Sequence, residues 1–195
     1  MTNAEYLTLE HEAQAHGYAV VCGADEAGAG PLAGPVYAAA VILPDDFDLP
    51  WLNDSKKVTP KRREALFDQI KEQAVAWAVA SVGEREIDEI NILNARMKAM
   101  DLAIHQLDPV PDFALIDGNH LPPMMPVAAE TLDKGDAKSA SVAAASILAK
   151  VSRDRMMREA DALYPGYGFA KHKGYGTAAH VAAIRALGPC PIHRP

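Results

Sequence analysis

The sequence predicts an α/β domain: a central mixed β-sheet flanked by helices, with a small helical C-terminal extension. Three observations carry this. YAVVCGAD (Tyr18 to Asp25), VYAAAVIL (Val36 to Leu43) and FALID (Phe113 to Asp117) are short apolar runs bounded by Gly, Pro or Asp, as buried strands are. Helical periodicity lies between them, and from about Ser139 the chain turns almost wholly helical. Strands first, with helices interleaved and then dominant, describe a layered sheet-and-helix architecture.

The first run ends on Asp25 and Glu26 at a glycine-rich turn and the second follows at once, so an early hairpin is expected. In TPKRREALFDQIKEQA, Thr59 is a helix cap and Pro60 takes the first helical position, where its missing N–H costs nothing. AWAVASVG reads as a short strand. In IDEINILNARMKAMDLAIHQL the residues Ile90, Leu93, Met97, Met100 and Ile104 recur on one helical face, with Met97 and Met100 as core packing, and the helix ends before Pro109. FALID stops at Asp-Gly, and MPVAAETL (Met125 to Leu132) suggests another strand. SVAAASILAKVSRDRMMREADAL is rich in Ala at its start, which lets a helix lie close on a sheet. Within it Asp154 sits one turn from Lys150, the spacing of a helix-surface ion pair rather than of a metal ligand. A loop, YPGYGFAKHKGYGT, and a helix from Ala178 to Leu187 close the chain.

At 195 residues the chain fits one domain with a proper core, and 49% hydrophobic with 23% charged residues marks an ordinary globular protein. No apolar stretch has membrane-spanning length, and MTNAEYLTLEHEAQ lacks the layout of a secretion signal, so a cytoplasmic protein is expected. Cys22 and Cys190 are too few for a disulfide framework and join no metal-ligand set; they read as reduced thiols. A net charge of −7 argues by itself against nucleic-acid binding. Basic residues nevertheless cluster at Lys56, Lys57, Lys61, Arg62 and Arg63, at Lys150, Arg153, Arg155 and Arg158, and at Lys171, His172 and Lys173.

The chemistry lies in where the acids fall. Asp25 ends the first strand, Asp117 ends a later one, and Asp136 lies in the turn KGDAKS before the Ala-rich helix. Acids at strand ends gather on one edge of a sheet, where open α/β folds place their sites. Carboxylates held together without cationic partners repel, which raises their pKa values unless divalent ions neutralise them. Oxygen-only ligands favour Mg²⁺ or Mn²⁺ over zinc, and two such ions bridged by a carboxylate suit phosphodiester hydrolysis. Asp at a strand end also caps turns and helices, so spacing alone leaves a structural role open.

GADEAGAGPLAGPVYAAAVILP, NDSKKVTPKRREALF, LIDGNH, KGDAKSASVAAASILAKVSRDR and YPGYGFAKHKGYGT together resemble bacterial ribonuclease HII, the type 2 ribonuclease H, in family order from about Cys22 to the tail. The resemblance implies one ribonuclease H-like domain over 1–195, with the catalytic α/β part at about 15–163 and a substrate-gripping loop and helix at about 164–195. It implies an endonuclease, expected as a monomer, that cuts the RNA strand of RNA–DNA hybrids and nicks duplex DNA 5′ of an embedded ribonucleotide. Two ions, Mg²⁺ or Mn²⁺, would serve it, leaving 3′-hydroxyl and 5′-phosphate ends. The catalytic and metal-holding acids of the family map to Asp25, Glu26, Asp117 and Asp136.

The family reads a lone ribose with a glycine-arginine-glycine turn and a tyrosine. The turn maps to Gly28, Ala29 and Gly30, and the tyrosine to Tyr175, with Tyr164 and Tyr167 as lesser candidates. Lys56, Lys57, Lys171, His172 and Lys173 are expected to meet backbone phosphates, which position a duplex without reading bases. Ala29 departs from the pattern: the guanidinium that would hold a phosphate or brace the turn is absent, so weaker recognition of a lone ribonucleotide is expected. Family members usually run a little past HRP, so a shortened tail is also expected. Two rival readings stay in view. A dinucleotide-binding oxidoreductase is disfavoured by the GxGxxxG spacing, by Pro31 and by acids where pyrophosphate would sit. A non-catalytic hybrid-binding module has no use for acids facing phosphates; metal-dependent cleavage separates it from a nuclease.

Overall fold

The strands β1 (Val21–Ala27), β2 (Val36–Ile42), β3 (Ala76–Val82), β4 (Phe113–Asp117) and β5 (Ala128–Leu132) form one sheet in the order β3-β2-β1-β4-β5. The computed structural model describes residues 1–121 and 127–195, so Met125 and Pro126 of the expected last strand lie outside the described residues. β1 pairs antiparallel with β2, as the expected hairpin, and β2 with β3, whereas β1–β4 and β4–β5 are parallel. β1 is thus the central strand, and its C-terminal end lies beside that of β4, bringing Asp25 and Asp117 to one edge.

Successive side chains of a strand point to opposite faces. Cys22 and Ala24 of β1 meet α4 (Glu84–His105), whose Ala95, Met97, Met100, Ala103 and Ile104 cover that face. On the other face α6 (Ala140–Leu163), with α3 (Pro60–Gln73), packs Ala143, Ala144, Ile147 and Leu148 against Ala39 and Val41. α6 lies so close that a Cβ on Gly23 would stand 2.3 Å from the Ser141 carbonyl carbon and the Val142 nitrogen. A glycine here, opposite the small residues of α6, lets the helix N-terminus rest on the central strand.

Four findings depart from the sequence reading. The stripe of α4 is interrupted: Asn91 leaves helical geometry (φ 66°, ψ 165°), and its side-chain oxygen accepts from the Asn94 amide at 3.0 Å, capping a second segment. Leu93 consequently faces solvent while Met97 and Met100 are buried as expected. Residues before β1 form α1 (Asn3–Tyr6) and α2 (Thr8–Ala15), opened by a Thr2–Glu5 capping box. α5 (Gly135–Lys138) carries the KGDAKS acid, and the closing loop contains a short helix, α7 (Phe169–His172), before α8 (Ala178–Leu187).

The C-terminal segment folds back over α6. Tyr167, Phe169 and Ile192 pack with Ala33, Met157 and Ala160. The Gly34 amide donates to the Ile192 carbonyl at 2.9 Å and the Arg194 amide to the Leu32 carbonyl at 2.8 Å, lashing the chain's end to the turn after β1.

Candidate active site

Asp25, Glu26, Gly28, Ala29, Gly30, Lys56, Asp117, Asp136 and Tyr175 line a single cleft of about 380 Å³, together with Asp54, Ser146 and Lys150. Asp25 is nearly buried and its Oδ1 accepts from the Glu26 amide at 2.7 Å. Asp117 ends β4, and its Oδ1 accepts from the Gly135 amide at 2.7 Å, so it holds the N-terminus of the short helix that carries Asp136. The Tyr6 hydroxyl of α1 donates to the Asp136 carbonyl from the other side. Ser146 and Lys150, one turn apart on α6, reach the same space, and Lys150 also pairs with Asp154 at 2.9 Å as expected.

One of these acids has a cationic partner, which corrects part of one expectation. Glu26, next to Asp25 on a strand, points to the opposite face, where Arg96 of α4 meets its Oε1 at 3.0 Å. Lys56 and Lys150 also stand in the cleft wall. Nor do the carboxylates converge on one point: among the described residues no set of three acidic, His or Cys side chains is placed to enclose an ion. Asp25 and Asp117 turn to backbone amides and Glu26 to Arg96.

Crowding nevertheless leaves its mark. Burial, then Asp117 and Glu26, hold the Asp25 carboxyl well above its ordinary range. Burial raises Glu26 too, against the pull of Arg96. Asp136 is pushed up to about 6 by burial and by Asp54. The donor set is oxygen-only, partly desolvated and mutually repelling, a combination that fits hard divalent cations.

The glycine turn is held from behind. Gly28 has φ +92°, and a Cβ there would collide with the Arg153 side chain, 2.1 Å from its Nε. Arg153, only 1% exposed, donates to the carbonyls of Ala33, Pro35 and Lys173. The expectation that Ala29 leaves the turn without a guanidinium brace is overturned: Arg194 donates to the carbonyls of Gly28, Ala29, Pro31 and Gly34.

His172 and Lys173 lie outside the cleft lining. His172 Nε2 bonds the Tyr167 carbonyl at 2.7 Å and its Nδ1 accepts from the Gly174 amide at 3.1 Å, so both ring nitrogens are used within the loop. The Lys173 ammonium turns back to the Ala170 carbonyl. Lys57 lies in a neighbouring hollow with Trp51 and Arg62. Tyr175, by contrast, is 42% exposed, whereas Tyr167 is buried in the C-terminal cluster.

A relay of imidazoles fixes the carbonyl of Tyr175. The Cys190 amide donates to His193 Nδ1 at 2.8 Å, which leaves the proton of a neutral ring on His193 Nε2. That atom faces His180 Nε2 at 2.9 Å, and His180 Nδ1 donates to the Tyr175 carbonyl at 2.9 Å.

The family model described as ribonuclease HII matches residues 22–195. The chain belongs to the ribonuclease HII family. Ribonuclease HII of Acetivibrio thermocellus is 56% identical over 190 residues, covering 97% of this chain and 74% of that protein. The crystal structure of ribonuclease H2 from Pyrococcus horikoshii superposes with a TM-score of 0.74 at 28% identity, over 90% of this chain and 92% of the other. The Mn²⁺ complex of Bst-RNase HIII, 20% identical over 87% of this chain and 63% of its own, shares the fold with a TM-score of 0.67. The expected ribonuclease H-like fold is therefore present, and the chain is a ribonuclease H, a hydrolase that cuts RNA–DNA hybrids internally.

The residues that sequence reasoning missed act across elements. Asp54 sits two positions before Lys56 and accepts from its amide at 2.9 Å, a turn signal present in NDSKK. Ser146 and Lys150 are four apart on one helical face, so an acid-facing pair was within reach of periodicity. Arg96 and Arg194 carry no local signal, because their partners are 70 or more residues away in sequence.

Proposed function

We propose that this cleft hydrolyses the phosphodiester on the 5′ side of a ribonucleotide, within hybrids and at a single ribonucleotide embedded in duplex DNA, leaving 3′-hydroxyl and 5′-phosphate ends. The observation that carries this reading is the meeting of a repelling carboxylate group, a glycine turn and an exposed tyrosine in one cleft. Asp25, Glu26, Asp117 and Asp136 would hold two divalent ions, Mg²⁺ or Mn²⁺; the Mn²⁺ bound by the related HIII enzyme supports this class of ion. Such ions, when bound, supply charge neutralisation and Lewis acidity to an in-line displacement at phosphorus.

The chain's own groups do the rest. The amides of the Gly28–Gly30 turn approach the ribose 2′-hydroxyl, the group that separates RNA from DNA. Tyr175 stacks on the neighbouring sugar, its ring 3.7 Å from where a Cβ on Gly30 would lie, so turn and ring bracket one nucleotide. Lys56 and Lys150 bring positive charge to the scissile phosphate and its neighbour. Arg96 pairs with Glu26 and offsets part of the upward pull that burial exerts on its carboxyl. A labelled DNA duplex carrying one ribonucleotide, digested with and without Mg²⁺, tests the reading. A single nick on the 5′ side that requires the ion is expected; a cut on the 3′ side, or one indifferent to Mg²⁺, overturns it.

A further inference from the structure

The turn from Gly28 to Pro35 has little regular structure of its own, yet its carbonyls are gathered by two arginines. Arg194 approaches from the C-terminal segment: Nη2 donates to Gly28 O at 2.7 Å and Gly34 O at 2.6 Å, and Nη1 to Ala29 O at 3.1 Å and Pro31 O at 3.0 Å. Its Nε donates to Gly34 O at 2.8 Å. Arg153 takes Ala33 O and Pro35 O.

A trans peptide sets C=O and N–H on opposite sides. Holding the carbonyls of Gly28 and Ala29 on Arg194 therefore turns the amides of Ala29 and Gly30 the other way. Arg194 does not line the cleft, whereas residues 28–30 do. Among the described residues neither of those two amides has an acceptor, so both are donors available to a ligand.

We infer that Arg194 is a positioning residue for ribose recognition: it aims the Ala29 and Gly30 amides into the cleft and performs, from the chain's far end, the bracing that the side chain at position 29 cannot. The inference rests on the ribonucleotide reading above. A guanidinium spreads five donors across a rigid plane, which is what four separate carbonyls require; an ammonium offers three from one point. Arg194→Lys should therefore keep the charge and lose the aim.

The test compares cleavage of two duplexes that differ only at the embedded residue, one with a 2′-hydroxyl and one with a 2′-fluorine, a far poorer acceptor for the Ala29 and Gly30 amides. Wild type should prefer the hydroxyl. Arg194→Lys should lower kcat/KM on the 2′-hydroxyl duplex by about 10–100-fold, the range for losing charge-assisted positioning, with little change on the fluoro duplex. Guanidinium ion added at millimolar levels to Arg194→Ala should restore part of the hydroxyl rate, a readout that stands even if one variant folds poorly. Equal losses on both duplexes without rescue, or no loss on either, would overturn the inference. If wild type itself fails to distinguish the duplexes, the ribose reading falls instead.

Discussion

Asp25 is the residue on which the cleft's electrostatics turn. Its carboxyl is held well above its ordinary range by burial and by Asp117 and Glu26, so the folded protein keeps a proton there that the unfolded chain releases. An acid raised in the folded state lowers stability as pH rises past its unfolded value. Asp136, raised from 3.8 to about 6, works in the same direction over that window. Asp25→Asn cannot ionise. It should abolish hybrid cleavage yet raise the melting temperature of the ion-free protein at pH 8, with little change at pH 4. Melting curves in chelator at the two pH values check this, and a variant less stable than wild type at pH 8 contradicts the repulsion argument.

At the scale of elements, the site depends on how closely α6 lies on β1 and on what holds its first turn. Glu10 of α2 is buried, and its Oε1 accepts from the Ser139 hydroxyl at 2.5 Å and the Ser141 amide at 3.1 Å. Glu10→Ala leaves two buried donors unmet, each costing roughly 1–3 kcal/mol, so a clear loss in urea unfolding free energy is expected. Gly23→Ala pushes a methyl against backbone rather than a yielding side chain; a loss of about 1–3 kcal/mol or more, with reduced cleavage, should appear in the same experiment. Sequence made part of this legible. The cap at Thr59 and Pro60 placed α3, and the Ala run placed α6, because those signals are local. The capping box at Thr2 and Glu5 was local too, but without a strong apolar period it went unread. The Asn91 break in α4 and the Arg96–Glu26 pair were not legible, since a side chain's partner across a sheet depends on packing rather than on spacing.

For the whole molecule, a net charge of −7 coexists with a polyanionic substrate because the basic side chains are placed rather than numerous. Lys56 and Lys150 stand in the cleft wall, and Lys57 and Arg62 share the adjoining hollow with Trp51. Lys56→Ala, made in the Asp25→Asn background, should weaken hybrid binding and reduce the slope of log affinity against log salt by about 1, without changing sequence preference. Fluorescence anisotropy across a salt series measures that slope; an unchanged slope removes Lys56 from the phosphate contacts. The architecture agrees with this division of labour: the sheet edge presents the acids, and the segment beyond α6 closes over the turn beside them.

The imidazole chain from Cys190 to Tyr175 makes that closure answer to acidity. Each ring in it has one proton to give and one lone pair to receive, and a further proton would set N–H against N–H between His180 and His193. Burial lowers the affinity of both for that proton, so their share of stability is held above the ordinary imidazole range near 6.5 and drains away below it, opposite in sign to the carboxylates. His172 stacks on His180 with ring centroids 4.3 Å apart, so the pair is packed within the same strap. Mild acid would thus ease the strain among the aspartates while unfastening the strap that carries Arg194, and the turn it holds would loosen beside the acids.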